Sequence, residues 1–502
     1  MNRSSHWDGI VLFQYRCHDR WPPLAWVVSG TVGETSVTVQ HGPGVQCCND
    51  WFGEIVWDGD FGSADFDQSD LVYGSGARRR GDGVTFVSAS HTLDRLVCSQ
   101  DGKTFWISNS LPALLAVSQT SIDPLYPFYP RDFTSIIQGM TQHRRSVANA
   151  SRSLRLIYHD NLRLSDSGLQ IIEKPQIERS LKTYEHYREF LKQSIASCGA
   201  NLQDKNRRWS LEWLGTLSTG FDSPTVCALA KSAGLREAIS ITSSRGGKED
   251  AGTEIAEQLQ IKPHLIDRDA WRSQHLTEVP FLASDGKGED VYYQGAETLL
   301  KGRVVLTGYA AGAWALRERP LTELKRADQS GLSLNEYRLW AGFIHVPVPT
   351  MGLRSGGGIE YVNQSKQMSR WFSGASYDKP FCRRLLVELG VDEKLFGVEK
   401  KAASVLLFDR RSFLSPESLK DFSDYYQRLR SGRLFAHLCR SRGRSSAAML
   451  AIQSAAALPG RFAKRVHQSL RLNELAYRDH RYDYLFGWAI ERAIQRYAVP
   501  RH

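Results

Sequence analysis

The chain has 502 residues, 41% of them hydrophobic and 24% charged, with a formal net charge of +10. That length is too great for one hydrophobic core, so two or three domains are expected, and the composition excludes a fibrous or disordered chain. No apolar run is long enough to cross a bilayer, and the positive balance favours anionic partners such as nucleotides, pyrophosphate, acidic substrates or nucleic acid.

Residues 1–120 read as β-rich, in short alternating runs such as TVGETSVTVQ and DGVTFVSAS broken by Gly, Asp and Pro. DRLVCSQDGKTFWISNS predicts a hairpin turning at Asp101-Gly102, and SNSLPALLAV a short helix capped by Ser110. Residues 121–179 read as a connector, with an irregular YPFYPRDF stretch followed by one more pair of strands in SLRLIYHDNLRLSDSGLQIIEKP. From residue 180 the pattern changes. SLKTYEHYREFLKQSIASCGANL has helical spacing, and alternating strand and helix runs follow to about residue 405, the mark of a parallel α/β sheet. Residues 406–502 read as mainly helical, with arginines at 428, 430, 433, 440, 442 and 444 on one helical stretch. The expected fold class is therefore a β-rich N-terminal part, then a parallel-sheet α/β domain with a helical C-terminal part.

Eight cysteines, at 17, 47, 48, 98, 198, 227, 382 and 439, form no CxxC pair, and no His/Cys pattern has zinc spacing. The N-terminal stretch lacks a small-residue cleavage site, so reduced thiols and a cytoplasmic location are expected.

The stretch LSTGFDSPTV, residues 217–226, carries the most chemistry. WSLEWLGTL before it reads as a buried strand, and PTVCALAKSAG after it as a helix with Pro224 in its first turn, Gly234 at its end and Ser223 as its N-cap. The six residues Ser218, Thr219, Gly220, Phe221, Asp222 and Ser223 therefore lie where a strand's carboxyl end meets a helix start. Free amides and the helix dipole there attract phosphate, and Gly220 lets the backbone come close. Asp222 would repel a bare phosphate, so a cation such as Mg²⁺ is expected between them. An ordinary capped strand–turn–helix corner is the competing account of these residues.

Ser218 to Ser223 resembles the SGGxDS pyrophosphate loop of the N-type ATP pyrophosphatases, among them asparagine synthetase and β-lactam synthetase, with Thr219 in place of a glycine. The resemblance extends over residues 180–405. It implies that Leu217 to Ser223 hold the pyrophosphate of ATP, that Ile241 at the end of REAISITSS meets the adenine, and that Glu249 and Asp250 take the acidic positions. It also implies that Thr307 and Gly308 open a nucleotide-facing segment, and that Lys400, with Lys401 beside it, stabilises charge as an acyl-adenylate forms and breaks down. Residues 1–120 resemble, more weakly, the core of a class II glutamine amidotransferase domain, which implies a β-sandwich of two packed sheets. That family's nucleophile is an N-terminal cysteine, whereas this chain begins Met1-Asn2, so glutaminase activity is expected to be lost.

The family's second metal-binding aspartate would fall at Gly312, and residues 308–313 contain no carboxylate. Asp285, Glu289 and Asp290 lie upstream, read either as compensating ligands or as a polar loop. His345 reads as a core histidine; Lys325, Arg326 and Arg338 as cations for an acidic substrate or a solvated loop; Arg383 and Arg384 as phosphate contacts or surface ion pairs. The resemblance as a whole implies an ATP- and Mg²⁺-dependent ligase with Asp222 and Lys400 in catalytic roles. A small-molecule carboxylate would be joined to an amine or to ammonia, the latter free or from a separate glutaminase. A degenerate nucleotide-binding pseudoenzyme and an RNA-modifying enzyme are the alternatives. The second lacks support from paired reactive cysteines or an aromatic-basic nucleic-acid module.

Overall fold

The computed structural model describes residues 11–498, apart from 82, 149–151, 316–323, 327, 355–358, 375–376, 407–412 and 432–479. Met1 and Asn2, most of the SGGGIE loop, Cys439 and the arginines at 433, 440, 442 and 444 therefore lie outside the described residues. The fold is mixed α/β with three sheets.

Two of the sheets are mainly antiparallel. The first has the order β1-β3-β2-β9-β8-β11-β10, built from β1 (Leu12–Cys17), β2 (Trp26–Thr31), β3 (Ser36–His41), β8 (Leu96–Asp101), β9 (Thr104–Ser108), β10 (Ser146–Ala148) and β11 (Ser153–Ile157). The second has the order β13-β12-β7-β6-β5-β4, built from β4 (Gln46–Cys47), β5 (Trp51–Trp57), β6 (Val72–Arg80), β7 (Gly83–Val87), β12 (Asn161–Ser165) and β13 (Gly168–Ile172). One buried cluster joins Val28, Val39, Phe105 and Ile107 of the first to Phe52, Ala77, Phe86 and Leu162 of the second, so the sheets face each other as a sandwich. The hairpin at Asp101-Gly102 forms as expected, and Ser110 Oγ accepts from the Ala113 amide to cap α1 (Leu111–Ser118).

The connector expected at 121–179 is a connector only in part. Its first half holds a short helix, α2 (Tyr129–Thr134). SLRLI and NLRLS do not pair with each other: the first joins β8 and the second joins β7, so the chain crosses between the two sheets at residues 158–160. Each strand also pairs with a near neighbour, β10 for the first and β13 for the second, but the partner that fixes its sheet lies far back in the sequence.

The third sheet is parallel throughout, with the order β16-β15-β14-β17-β18: β14 (Glu212–Thr216), β15 (Glu237–Ile241), β16 (Lys262–Ile266), β17 (Arg303–Thr307) and β18 (Ile344–Pro347). Its strands are apolar on both faces, as a parallel sheet covered on both sides requires. Trp213, Ala238, Val304 and Leu306 pack on one side with α3 (Tyr184–Leu202) and α4 (Asp222–Ala230). Leu214, Ile239 and Val305 pack on the other, with α6 (Val279–Asp285), α8 (Leu334–Ala341) and the C-terminal helix Leu485–Ile494. That last helix thus belongs to the core of the parallel sheet. Tyr497 just beyond it donates to Glu336 at 2.5 Å, and Ser110 of the sandwich donates to Tyr497 at 3.1 Å.

The chain leaves β14 toward β15 and β16, then returns to the other side of β14 to lay down β17 and β18. The strand order reverses between β14 and β17. The crevice beyond their carboxyl ends is where an open α/β sheet of this kind receives ligands.

Candidate nucleotide site

The loop 217–221 leaves β14 at that crevice and runs directly into α4. The helix begins at Asp222, two residues earlier than expected, because Phe221 already has helical dihedrals (φ −88°, ψ −41°). Ser223 is therefore not the N-cap. Its hydroxyl lies 3.0 Å from that of Ser218, which also accepts from the Gly220 amide at 3.2 Å. The amides of Asp222 and Ser223 belong to the helix's first turn and have no carbonyl one turn back to bond.

Leu217 and Phe221 are core residues, 2% and 0% exposed. Phe221 packs on Tyr377, Phe396 and the guanidinium of Arg383, and its ring lies against Gly397. Gly397 sits at φ +67°, and a Cβ there would come within 2.2 Å of the Phe221 ring, so only glycine brings this segment so close. The Gly397 amide also donates to the Thr219 carbonyl at 2.9 Å.

The segment after Gly397 lies over the strand ends. Arg245 donates its amide to Ala402 at 2.7 Å, and Arg268 donates its Nε to Ala403 at 2.8 Å. Lys401 is turned inward. It donates to Thr219 Oγ1 at 3.2 Å and to the Glu249 carbonyl at 2.7 Å. Lys400 is exposed and makes no hydrogen bond among the described residues, although its charge lowers the pKa of Asp222. Lys401, rather than Lys400, is thus the lysine of this pair that touches the loop. Glu249 takes part through its backbone and Asp250 through its carboxylate, which accepts from Thr219 Oγ1 at 2.6 Å and from its amide at 3.2 Å.

Asp222 forms an ion pair with Lys379, a residue sequence reasoning passed over. Lys379 also donates to the Ala311 carbonyl at 3.0 Å. Its side chain is buried, and Pro380 at the first position of α10 (Pro380–Glu388) sets the backbone beside it. A lysine directly before a helix-starting proline was the available signal. Burial pushes the Asp222 carboxyl up, and Lys379 works against that.

Gly308 packs on the start of α4, where a Cβ would lie 2.6 Å from Asp222 Cβ and 2.9 Å from its carbonyl carbon. Thr307, expected to face the nucleotide, is 1% exposed, and its hydroxyl lies 2.7 Å from His345 Nε2. Burial drives His345 down to about 3, so it is a neutral core group at neutral pH. Ile241 ends β15, half-buried, beside the loop strand β14.

The protein's own donors do not fit a Mg²⁺ ion here. Asp222 is taken by Lys379, Asp250 by Thr219, and residues 308–313 supply no carboxylate. Asp285, Glu289 and Asp290 do not replace them, nor are they a solvated loop. All three are buried and hold backbone or side-chain partners: Asp285 the Gly288 amide, Glu289 the Gln329 amide, Asp290 Tyr309 and Ser333. Among the described residues, no cluster of three or more His, Cys, Asp or Glu side chains could hold a metal ion.

The other cations have separate places. Arg338 is fully buried between Glu54 and Asp94, so it cannot meet a substrate. Arg384 pairs with Glu185 and Glu388 at the surface, and Arg383 with Glu393 and Asp378. Arg326 differs. Its side chain is 5% exposed beside the loop that holds Asp290 and Tyr309; Nη2 donates to the Ser330 carbonyl and lies 3.8 Å from Asp328, whereas Nε and Nη1 have no hydrogen-bond partner. No family model matches the chain, and no curated protein matches it.

Proposed function

We propose that this chain is an ATP-dependent ligase of asparagine-synthetase-like type, forming an amide through an acyl-adenylate. One observation supports the reading above the others. A loop of small polar residues sits at the reversal point of a five-stranded parallel sheet, opens a helix, and is met by two lysines, Lys379 and Lys401. The nucleotide, with any magnesium it carries as part of the substrate, lays its β,γ-phosphates along residues 218–223 and its adenine near Ile241. A carboxylate of the second substrate attacks the α-phosphorus and pyrophosphate leaves. An amine or ammonia then attacks the acyl carbon and AMP leaves. Lys400, exposed beside Lys401, is the cation for the charge that develops.

The antiparallel sandwich is read as a degenerate amidotransferase-like unit. Burial pushes the Cys47 thiol up to about 12 and raises Cys48 and Cys98 as well, so these thiols stay protonated and unreactive at neutral pH. Nitrogen then comes as free ammonia, from a separate glutaminase, or as an amine on the substrate.

Incubation with Mg·ATP, a panel of carboxylic acids and hydroxylamine should release AMP and pyrophosphate with the matching acid and trap its hydroxamate. Release of ADP would reject the mechanism. A nucleotide-binding pseudoenzyme is the second reading, favoured by the Asp222–Lys379 pair and the missing carboxylates. It predicts ATP binding with no turnover for any acid.

Arg326 is the group assigned to a carboxylate of the acid substrate, since a buried guanidinium with open donors gains most from such a partner. Arg326→Met should raise KM for the acid by about 10- to 100-fold, at a stability cost of no more than about 1–3 kcal/mol from the lost partner of the Ser330 carbonyl. A lower melting midpoint with unchanged KM would show that the arginine serves the fold instead.

A further inference from the structure

We infer that the Lys379 ammonium is the cation joining Asp222 to the nucleotide's phosphates, so that this loop takes up a triphosphate with no divalent ion held by the protein. The inference rests on the nucleotide reading above and concerns binding, not turnover.

Asp222 stands in the first turn of α4, where the free helix amides lie. A phosphate brought there meets its negative charge at close range unless a cation lies between them. In this chain the cation is already present. Lys379 is 6% exposed, paired with Asp222 and bonded to the Ala311 carbonyl at 3.0 Å. Asp222 starts the helix after β14, and Ala311 follows β17, so one ammonium ties together the two walls of the crevice. An ammonium has three donors. Among the described residues two are used, by Asp222 and the Ala311 carbonyl, which leaves the third for a phosphate oxygen.

The missing carboxylate and this lysine explain each other. A magnesium site needs several oxygen ligands in octahedral array. Residues 308–313 offer no carboxylate, the Tyr309 hydroxyl is bonded to Asp290, and Asp222 alone cannot hold the ion against water. A lysine needs only one carboxylate and one carbonyl to fix it. Lys401, bonded to Thr219, supplies a second cation at the loop.

Calorimetry of the full chain with ATP, in EDTA and then in excess magnesium, tests this. ATP should bind in EDTA within about threefold of its affinity in magnesium, and Lys379→Met should weaken binding in EDTA by about 10- to 100-fold, as loss of a charge-assisted contact does. Asp222→Asn should keep or tighten that binding, because it removes a repulsive carboxylate and leaves the ammonium. Lys379→Met alone strands Asp222, so the paired variant Asp222→Asn with Lys379→Met, neutral at both positions, carries the readout if the single variant does not fold. It should remain as weak as expected for Lys379→Met.

Binding that requires magnesium, loss of binding in Asp222→Asn, or unchanged affinity in the paired variant would each overturn the inference and leave the nucleotide reading standing. Absence of ATP binding in both buffers would overturn that reading and the inference with it.

Discussion

Replacing Arg338 with methionine is expected to cost about 3–5 kcal/mol of folding free energy, the usual consequence of removing one partner from a buried ion pair. The guanidinium sits between Glu54 of β5, at 2.7 Å, and Asp94 of the loop before β8, at 2.8 Å, with all three side chains at most 3% exposed. Glu54 also accepts from Ser75 and Asn109, so its position is over-determined and it cannot swing out to water. Arg338 belongs to α8, on the parallel-sheet side, and Glu54 and Asp94 to the sandwich side. Loss of the arginine strands two carboxylates where the two units share buried surface. Thermal melting should show a midpoint several degrees lower, and the added changes Glu54→Gln and Asp94→Asn should recover most of the loss. A decrease below about 1 kcal/mol, the range of a solvated pair, would refute this account.

The same variant carries a pH signature. Burial pushes the Glu54 carboxyl up, and Arg338 is the main group pulling it down. With the guanidinium gone, its folded-state pKa rises further above the unfolded value of about 4.3. A carboxyl that binds its proton more tightly folded than unfolded loses stability as pH rises above the unfolded value, so the deficit should shrink between about pH 7 and about pH 5.

Local signals were legible in the sequence, and distant partnerships were not. The Asp101-Gly102 hairpin, the Ser110 cap, α3 and the β14–loop–α4 corner each depend on residues within a few positions of one another. Strands β11 and β12 were readable as strands, but their allocation to different sheets depends on β8 and β7, more than fifty residues earlier in each case. The candidate site divides in the same way. Ser218, Thr219, Gly220, Asp222 and Ser223 do lie together, and Asp250 does meet the loop. Thr307 was drawn inward by His345, a contact between neighbouring strands that no local pattern announces. Lys379 escaped notice because its carboxylate lies 157 positions away. Choosing between Lys400 and Lys401 needed the direction in which each side chain turns.

Adding one methyl group to Gly308 should cost more nucleotide affinity than adding one to Gly220, although Gly220 stands inside the motif and Gly308 outside it. A Cβ on Gly220 would meet Ser218 Oγ at 3.4 Å and Tyr377 Oη at 3.5 Å, ordinary contacts with side-chain ends. A Cβ on Gly308 would lie 2.6 Å from Asp222 Cβ, 2.9 Å from its carbonyl carbon and 3.0 Å from the Ser223 nitrogen. Those are atoms of the first helical turn, and they cannot yield without moving α4 relative to β17. Gly308→Ala should therefore lower stability by about 1–3 kcal/mol, as overpacking does. It should also displace the amides of Asp222 and Ser223 and disturb the Lys379 bridge, weakening ATP by about tenfold or more, since displacements of about 1 Å carry such effects. Gly220→Ala should melt like the parent chain. Any loss of ATP affinity it shows then comes from the ligand meeting the new methyl, which would place the phosphates against Gly220 itself. Calorimetry and thermal melting on the two variants separate these effects. If Gly308→Ala melted and bound ATP like the parent, the tight junction between β17 and α4 would be irrelevant to the site.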